Sequence, residues 1–489
     1  MRWGIARATA LVGALSFASA ACADGLVIFG SHREGGAANA FQTIVDLSDG
    51  HERTIIIHGE SAEESGFDGR LWNFVNGAPN RVDLPSAVAD QRAKMWIRQK
   101  GFRTLGKPGE SQRRVSVDGL SPIDLTFDPA TRRVSQAIVH GEYGPVIMTF
   151  GDWRRVGPYD YPFRQQLKDD EGEQVDLAKS VRVIRTVPAS LLSAPAKAEG
   201  AHLASIVVTI PFTATGRSKT HLLVPATVDG QPTSFVFDTG GANILTTDAA
   251  KRFSIASSGG MNIGGVGEGS ETGGFGLVNH VAIGGAELAD QSFVIVPSFF
   301  PPENGKPSPI AGLLGYEFLA HFVTTIDYRA ETITFRSEVP ADQRGVRLPF
   351  FSDGHGIAVE ASINGKPGLV SFDTGDGGTL TLFPAFTESH RLDTGTAEAT
   401  SSGGGVGGAV KATSGTLNHF TVGGLDFPNL PVSFSKNGSG AFASRFLAGN
   451  LGGLVLRCFR ITFDFPHHLL WLEPQPDTPL CAANTKAPV

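Results

Sequence analysis

The sequence predicts a mostly β protein: two tandem β-lobes that pair as a pseudo-dimer, preceded by a β-rich N-terminal domain with a helix. Three observations predict it. An apolar strand ends in Phe-Asp-Thr-Gly twice, at residues 237–240 and 372–375, with the two carboxylates 135 residues apart. Each copy holds the same place in an internal repeat of about 135 to 140 residues, a signal that precedes any single motif. Sixty-one glycines and 29 prolines in 489 residues suit many short strands joined by tight turns.

At the N-terminus, Arg2 and Arg7 precede an apolar stretch over residues 8–18, and small residues follow at 18–20 and 21–23. This is the layout of a secretory signal peptide, expected over residues 1–23, with a mature chain starting near Ala21 or Asp24 and exported to the periplasm or the medium. Cys22 raises lipid anchoring as an alternative, but a lipobox wants Leu three residues earlier and Ser19 stands there. No other stretch reaches the ~18 apolar residues of a membrane span.

Residues 24–190 read as the β-rich domain. Strands are expected at 54–57, 115–117, 123–127, 134–139 and 146–150, with a turn at 128–131. A helix is expected over 85–99, presenting Ala89, Met95 and Trp96 near one face. An Ala/Pro/Ser-rich stretch at 188–198 marks a linker, assigned to 191–204, and a plausible processing site. The lobes follow at 205–340 and 341–474, and a tail at 475–489.

The lobes share four landmarks. Residues 224–232 match 359–367, each a strand followed by an Asp-Gly or Asn-Gly hairpin turn. The second strand of each hairpin runs into Asp-Thr-Gly. Gly265-Val266-Gly267 corresponds to Gly405-Val406-Gly407, and 282–285 to 421–424. Residues 312–319 match 449–456 at an offset of 137, and Thr-Ile-Asp-Tyr at 325–328 matches Thr-Phe-Asp-Phe at 462–465. A third Asp-Thr-Gly, at 393–395, follows no apolar strand and lies outside the repeat, so Asp393 reads as a turn residue.

A strand ending in Asp-Thr-Gly, a glycine-rich segment, an apolar Leu-Gly segment and a closing strand together resemble the aspartic proteases. The closer likeness, over about residues 205 to 474, is to the bacterial retropepsin-like branch, where Leu-Gly-x-x-Phe-Leu precedes Thr-Ile-Asp-Tyr. The resemblance implies two acid-protease lobes in a pepsin-like pseudo-dimer, an Asp238/Asp373 dyad and a polypeptide substrate. It also implies that Thr239 and Thr374 hydrogen-bond across the lobes, and that Gly240 and Gly375 admit close backbone approach. Flaps would lie at Gly265, Val266 and Gly267, and at Gly405, Val406 and Gly407; no aromatic stands at the first tip. The β-hairpins of the N-terminal domain, with 149–156 leading into 161–163, loosely resemble the half-barrel of outer-membrane lipoprotein carrier proteins. That domain could inhibit, bind ligand or deliver substrate.

The chemistry accounts for two copies. Hydrolysis without a covalent intermediate needs one group to take a proton from water while another gives one to the carbonyl oxygen, and two carboxylates sharing a proton do both. Sharing follows because like charges about 3 Å apart do not both ionise, a point for which aspartic proteases are themselves the standard example. With both lobes in one chain, a monomeric endopeptidase requiring no metal or cofactor is expected. The alternative is an inactive periplasmic peptide- or lipid-binding protein on the same fold.

Two departures from the resembled pattern stand after the glycines, where a small residue is usual: Gly241 and Asp376. Asp376 is expected to face solvent, since Gly377-Gly378 suggest a loop. The glycine-rich stretches lack the lysine of a phosphate loop, and no His-Glu-x-x-His, Gly-x-Ser-x-Gly or paired Cys/His metal spacing occurs. His467-His468 reads as a solvated turn, and Asp327 and Asp464 as structural turn residues. Without the signal, Cys458 and Cys481 remain, as a disulfide or as one buried and one free thiol. A net charge of −7 with no basic tract argues against nucleic acid and anionic membrane surfaces.

Overall fold

The computed structural model describes residues 25–142, 144–198, 200–302, 305, 308–395, 400–476 and 478–482. The signal-peptide stretch, Cys22 and the residues after Ala482 lie outside the described residues. Among the described residues no helix is long and apolar enough to cross a membrane.

Residues 25–184 form one antiparallel sheet of twelve strands. The first six run in chain order from the middle to one edge, Gly25–Glu34 to Ala78–Val82; the last six run inward from the other edge, Gln112–Val115 to Glu173–Ile184. The first and last strands therefore pair at the centre, Gly25 opposite Ile184. Helix Pro85–Gln99 connects the two edges and starts with proline in its first turn, where the missing N–H is harmless. It shares a core with the sheet through Ala93 and Ile97, which join Leu125, Val139 and Phe150, while Trp96 packs at the border. This corrects the expected face. Met95 is buried outside that core, because two residues along a helix is about 200° of rotation from Ala93. The strand expected at 115–117 is Gln112–Val115, and Val117 is exposed.

Each lobe begins with a hairpin, His221–Val228 with Gln231–Phe237 and Ile357–Ile363 with Lys366–Phe372. Asp229-Gly230 and Asn364-Gly365 all have positive φ (48°, 79°, 48° and 76°), the two-residue turn whose twist matches the strands it joins. The strand entering Asp-Thr-Gly then pairs in parallel with Ile310–Leu314 in the first lobe and Leu447–Leu451 in the second. Phe237 and Phe372, just before the aspartates, are fully buried, each contributing about 2–3 kcal/mol. One core cluster contains both of them and runs through both lobes.

A six-stranded sheet joins the lobes. Val207–Pro211, Thr332–Arg336 and Val323–Asp327 come from one side, and Phe459–Asp464, Leu469–Pro474 and Val346–Pro349 from the other. At the seam Thr325 faces Thr462, their hydroxyls 2.9 Å apart. Cys458 and Cys481 form a disulfide, closing a sequence separation of 23 and tying the chain end to the second lobe. Reduction is expected to destabilise the protein by about 3 kcal/mol by loop entropy, read as a lower urea midpoint with and without reductant.

The stretch assigned as a linker is packed rather than free. Leu192 is buried with Val27, Ile44, Ile184 and Val187, Ala198 N donates to Gly77 O at 2.7 Å, and Lys197 Nζ donates to His321 O at 3.0 Å. The N-terminal sheet also docks on both lobes. Asn76, at the turn before Ala78–Val82, exchanges hydrogen bonds with the backbone of Ser292 at 2.6 and 3.0 Å. Buried Glu142 accepts from Ser86 and from Ser444 of the second lobe, both at 2.7 Å.

Candidate active site

The parallel pairing of each Asp-Thr-Gly strand holds the two loops face to face at the seam. Asp238 and Asp373 face each other, each carboxyl against the other lobe's glycine, and burial pushes both up. Asp373, with the Asp238 charge beside it, rises to about 7. Backbone amides hold the inner oxygens: Gly240 N donates to Asp238 Oδ1 at 2.9 Å, and Gly375 N and Asp376 N donate to Asp373 Oδ1 at 2.8 and 3.1 Å. The glycines are required by space. A side chain starting at Gly240 would come within 2.7 Å of Asp373 Cγ, and one at Gly375 within 2.6 Å of Asp238 Cγ. Neither is compatible with a real Cβ, so glycine alone permits the carboxyls to meet.

Beneath the dyad, Thr239 and Thr374 are fully buried and reach across the seam. Thr239 Oγ1 donates to Phe372 O at 3.0 Å and accepts from Thr374 N at 3.2 Å; Thr374 Oγ1 donates to Phe237 O at 2.9 Å and accepts from Thr239 N at 3.0 Å. Four bonds thus satisfy four buried backbone groups and both hydroxyls, and they fix the spacing of the carboxylates.

Asp376 is only partly exposed and its carboxylate is held toward the dyad, not turned away from it. Asn450 Nδ2 donates to Asp373 Oδ2 at 3.0 Å and to Asp376 Oδ2 at 2.9 Å, while Gly378 N donates to Asp376 Oδ1 at 2.7 Å. Burial and the Asp373 charge push Asp376 up to about 6. The paired glycines do form a loop, but one of them caps the carboxylate and turns it inward.

Two glycine-rich hairpins meet at their tips. The first, Ser258–Ile263 with Glu271–Ile283, carries Gly265, Val266 and Gly267 at its tip. The second, Thr400–Gly405 with Gly408–Val422, turns through Val406 and Gly407. Gly267 N donates to Val406 O at 3.1 Å, and Gly269 N to Gly407 O at 2.9 Å. Glu268 accepts from Gly438 N at 2.8 Å and from Lys411 Nζ. The N-terminal sheet braces the first hairpin, since Glu34 Oε1 accepts from Asn262 N at 3.1 Å and His58 stacks on Phe275 at 4.1 Å. Glu268→Ala is expected to loosen this closure, with about tenfold faster hydrogen exchange at the Gly267 and Gly269 amides.

Other sequence expectations fall outside the site. Asp393 Oδ1 accepts from Gly395 N at 2.9 Å, a local turn. Asp327 caps a turn through Ala330 N at 2.9 Å, and Asp464 contacts His467 at 2.8 Å. His468 is a correction: only 14% of its side chain is exposed, and its Nδ1 lies 2.7 Å from Asp83 Oδ2 of the N-terminal region while its ring stacks on Phe350. A left-handed backbone at His468 (φ 54°) turns the ring inward. Sequence reading missed Asn450 and Ser371, although both are polar where the other lobe has Leu313 and Val236.

Residues 224–318 and 359–452 match a model of the aspartyl protease family, one match on each copy of the repeat. No curated protein matches the chain. Among solved structures, a retropepsin-like aspartic protease from Rickettsia conorii is similar at 19% identity over 26% of this chain and 89% of that one, with a TM-score of 0.20. The fold is mostly β, with two tandem lobes, each matched by the aspartyl protease family model, following the N-terminal sheet in the chain. The family match does not reach residues 25–223, and the likeness of that region to lipoprotein carrier proteins rests on sequence alone.

Proposed function

We propose that the chain is an exported aspartic endopeptidase in which Asp238 and Asp373 activate one water and protonate the scissile carbonyl. The observation that carries this reading is the dyad itself: two facing carboxyls held above the ordinary range, each pressed against the glycine that follows the other. With one shared proton, the charged member takes a proton from water as the neutral member gives its own to the carbonyl oxygen. The proton inventory is restored when the amine leaves. Both carboxylates come from one chain, which supports a monomeric enzyme. A disulfide near the C-terminus supports an oxidising compartment, in line with the signal-like N-terminus.

The hairpin tips would act as flaps that part to admit a peptide and close to exclude water. In the described state they are hydrogen-bonded to each other, and the N-terminal region packs against them through Leu84, buried among Phe383, Val410, Phe442 and Leu447 with Val266 at the border. We assign that region to holding the closed state.

A statine-type peptide, whose hydroxyl imitates the attacked carbonyl, is expected to raise the melting temperature of the wild type and not of Asp373→Asn. Equal shifts in both would favour the inactive peptide-binding alternative.

A further inference from the structure

The lobes repeat one another closely at the dyad except along one wall. Three matched positions differ together. Val236, Gly241 and Leu313 line the first lobe, and Ser371, Asp376 and Asn450 occupy their places in the second. On the first side a side chain on Gly241 would begin 3.2 Å from Asp238 Oδ2 and 3.7 Å from Leu313 Cδ1, so a carboxylate there would sit against the Asp238 carboxyl with leucine in place of an amide donor.

On the second side the three polar groups form a chain. Ser371 Oγ donates to Asn450 Oδ1 at 2.5 Å, which fixes the amide so that its nitrogen points the other way. That nitrogen has two hydrogens, and they meet Asp373 Oδ2 and Asp376 Oδ2. Any one replacement alone would be costly. A carboxylate beside leucine would be buried unpaired, and an asparagine beside valine would lose the partner that orients it.

We infer that Ser371, Asn450 and Asp376 form a positioning network that makes Asp373 unlike Asp238 and sets the pH range over which the dyad keeps its single proton. This rests on the proposed reading of the dyad as catalytic. The network touches the catalytic carboxyl and does not replace it. Asn450 holds Asp376 close enough for its negative charge to oppose ionisation of Asp373, which delays loss of the shared proton. Burial holds Asp376 and Asp373 above the ordinary carboxylate range, the Asp373 charge raises Asp376 and the Asp376 charge raises Asp238, so the third carboxyl is tied electrostatically to the dyad's proton. The other charged or titratable groups acting here are Asp238 across the seam, His221, whose positive charge would lower Asp376, Tyr328, whose hydroxyl burial keeps neutral, and Arg457, which acts on Tyr328. None of them supplies a negative charge to Asp373 in place of Asp376 except Asp238, its dyad partner.

The sign follows directly. Removing the Asp376 charge makes Asp373 easier to ionise, so the basic limb of the pH profile moves toward acid. The test uses the full chain as wild type, Asp376→Asn and the triple variant Ser371→Val/Asp376→Gly/Asn450→Leu, which copies the lining the first lobe already tolerates. Two readouts are taken: kcat/KM from pH 3 to 9, and carboxyl 13C shifts of labelled aspartate over the same range. Asp376→Asn is expected to move the basic limb and the Asp373 titration down by about one pH unit, a roughly tenfold loss of kcat/KM above the limb, and the triple variant to move them less, because it also removes the Asn450 bond that lowers Asp373. A limb and a titration unmoved in both variants would overturn the network. A wild type that cleaves nothing while its Asp373 titration still moves would overturn the protease reading and uphold the network.

Discussion

Asp238→Asn and Asp373→Asn are each expected to reduce kcat/KM by at least about a thousandfold, with no change in the folded state by circular dichroism. The size follows from the sharing of one proton. General acid–base assistance is worth roughly 10²–10⁴ per group, and here either substitution removes both halves, because an amide neither takes the proton from water nor passes one to the carbonyl. The two losses should therefore not add: the double variant is expected to match the single ones. Stability should rise slightly or stay level, since each substitution relieves a buried carboxyl that burial holds above its ordinary range. A single variant that kept a tenth of the activity would assign the chemistry elsewhere.

Thr374→Val is expected to cost about 3 kcal/mol in urea unfolding and about a hundredfold in kcat/KM. The hydroxyl makes two bonds across the seam, donating to Phe237 O and accepting from Thr239 N, both buried. Valine fills the space but leaves a carbonyl and an amide without partners, at about 1–3 kcal/mol each. The carbonyl belongs to the residue just before Asp238, so the strain is delivered to the dyad spacing. Thr374→Ser keeps the hydroxyl and should recover most of both losses, which separates the hydrogen bonds from the methyl group.

These two sites were legible in the sequence because they are repeated, and repetition tests itself: Asp393 carries the same tripeptide but no repeat, and it sits in a local turn. Hairpin turns were legible for a different reason, since Asp229-Gly230 and Asn364-Gly365 need positive φ and name themselves. What stayed hidden was whatever breaks the repeat. Asn450 reads as a mismatch to Leu313 until Asp376 is seen to turn toward it, and Gly377-Gly378 argued for solvent when Gly378 in fact caps that carboxylate. Contacts between distant parts were equally invisible. No local pattern pairs His468 with Asp83, or places Leu192 of an apparently unstructured stretch in a core. In the helix at Pro85–Gln99 the first-turn proline made the start plain, but the face was misread because Met95 is buried on a different side from Ala93 and Ile97.

The N-terminal sheet gives the dyad its setting. Glu317 lies behind the first Asp-Thr-Gly loop, accepts both Asn243 N contacts at 3.0 and 3.1 Å and meets Asn76 from the sheet at 3.3 Å; burial pushes it to about 7. That carboxyl links the docking of the sheet to the loop that follows Asp238.

The most direct test of a single-chain dyad is cleavage of a peptide library by the chain isolated as a monomer, beside Asp238→Asn, Asp373→Asn and an equal mixture of the two variants. Cleavage by the wild-type monomer alone, with both variants and their mixture inert, is the expected result. An inert wild type, or a mixture that regains activity by pairing lobes between chains, would contradict it.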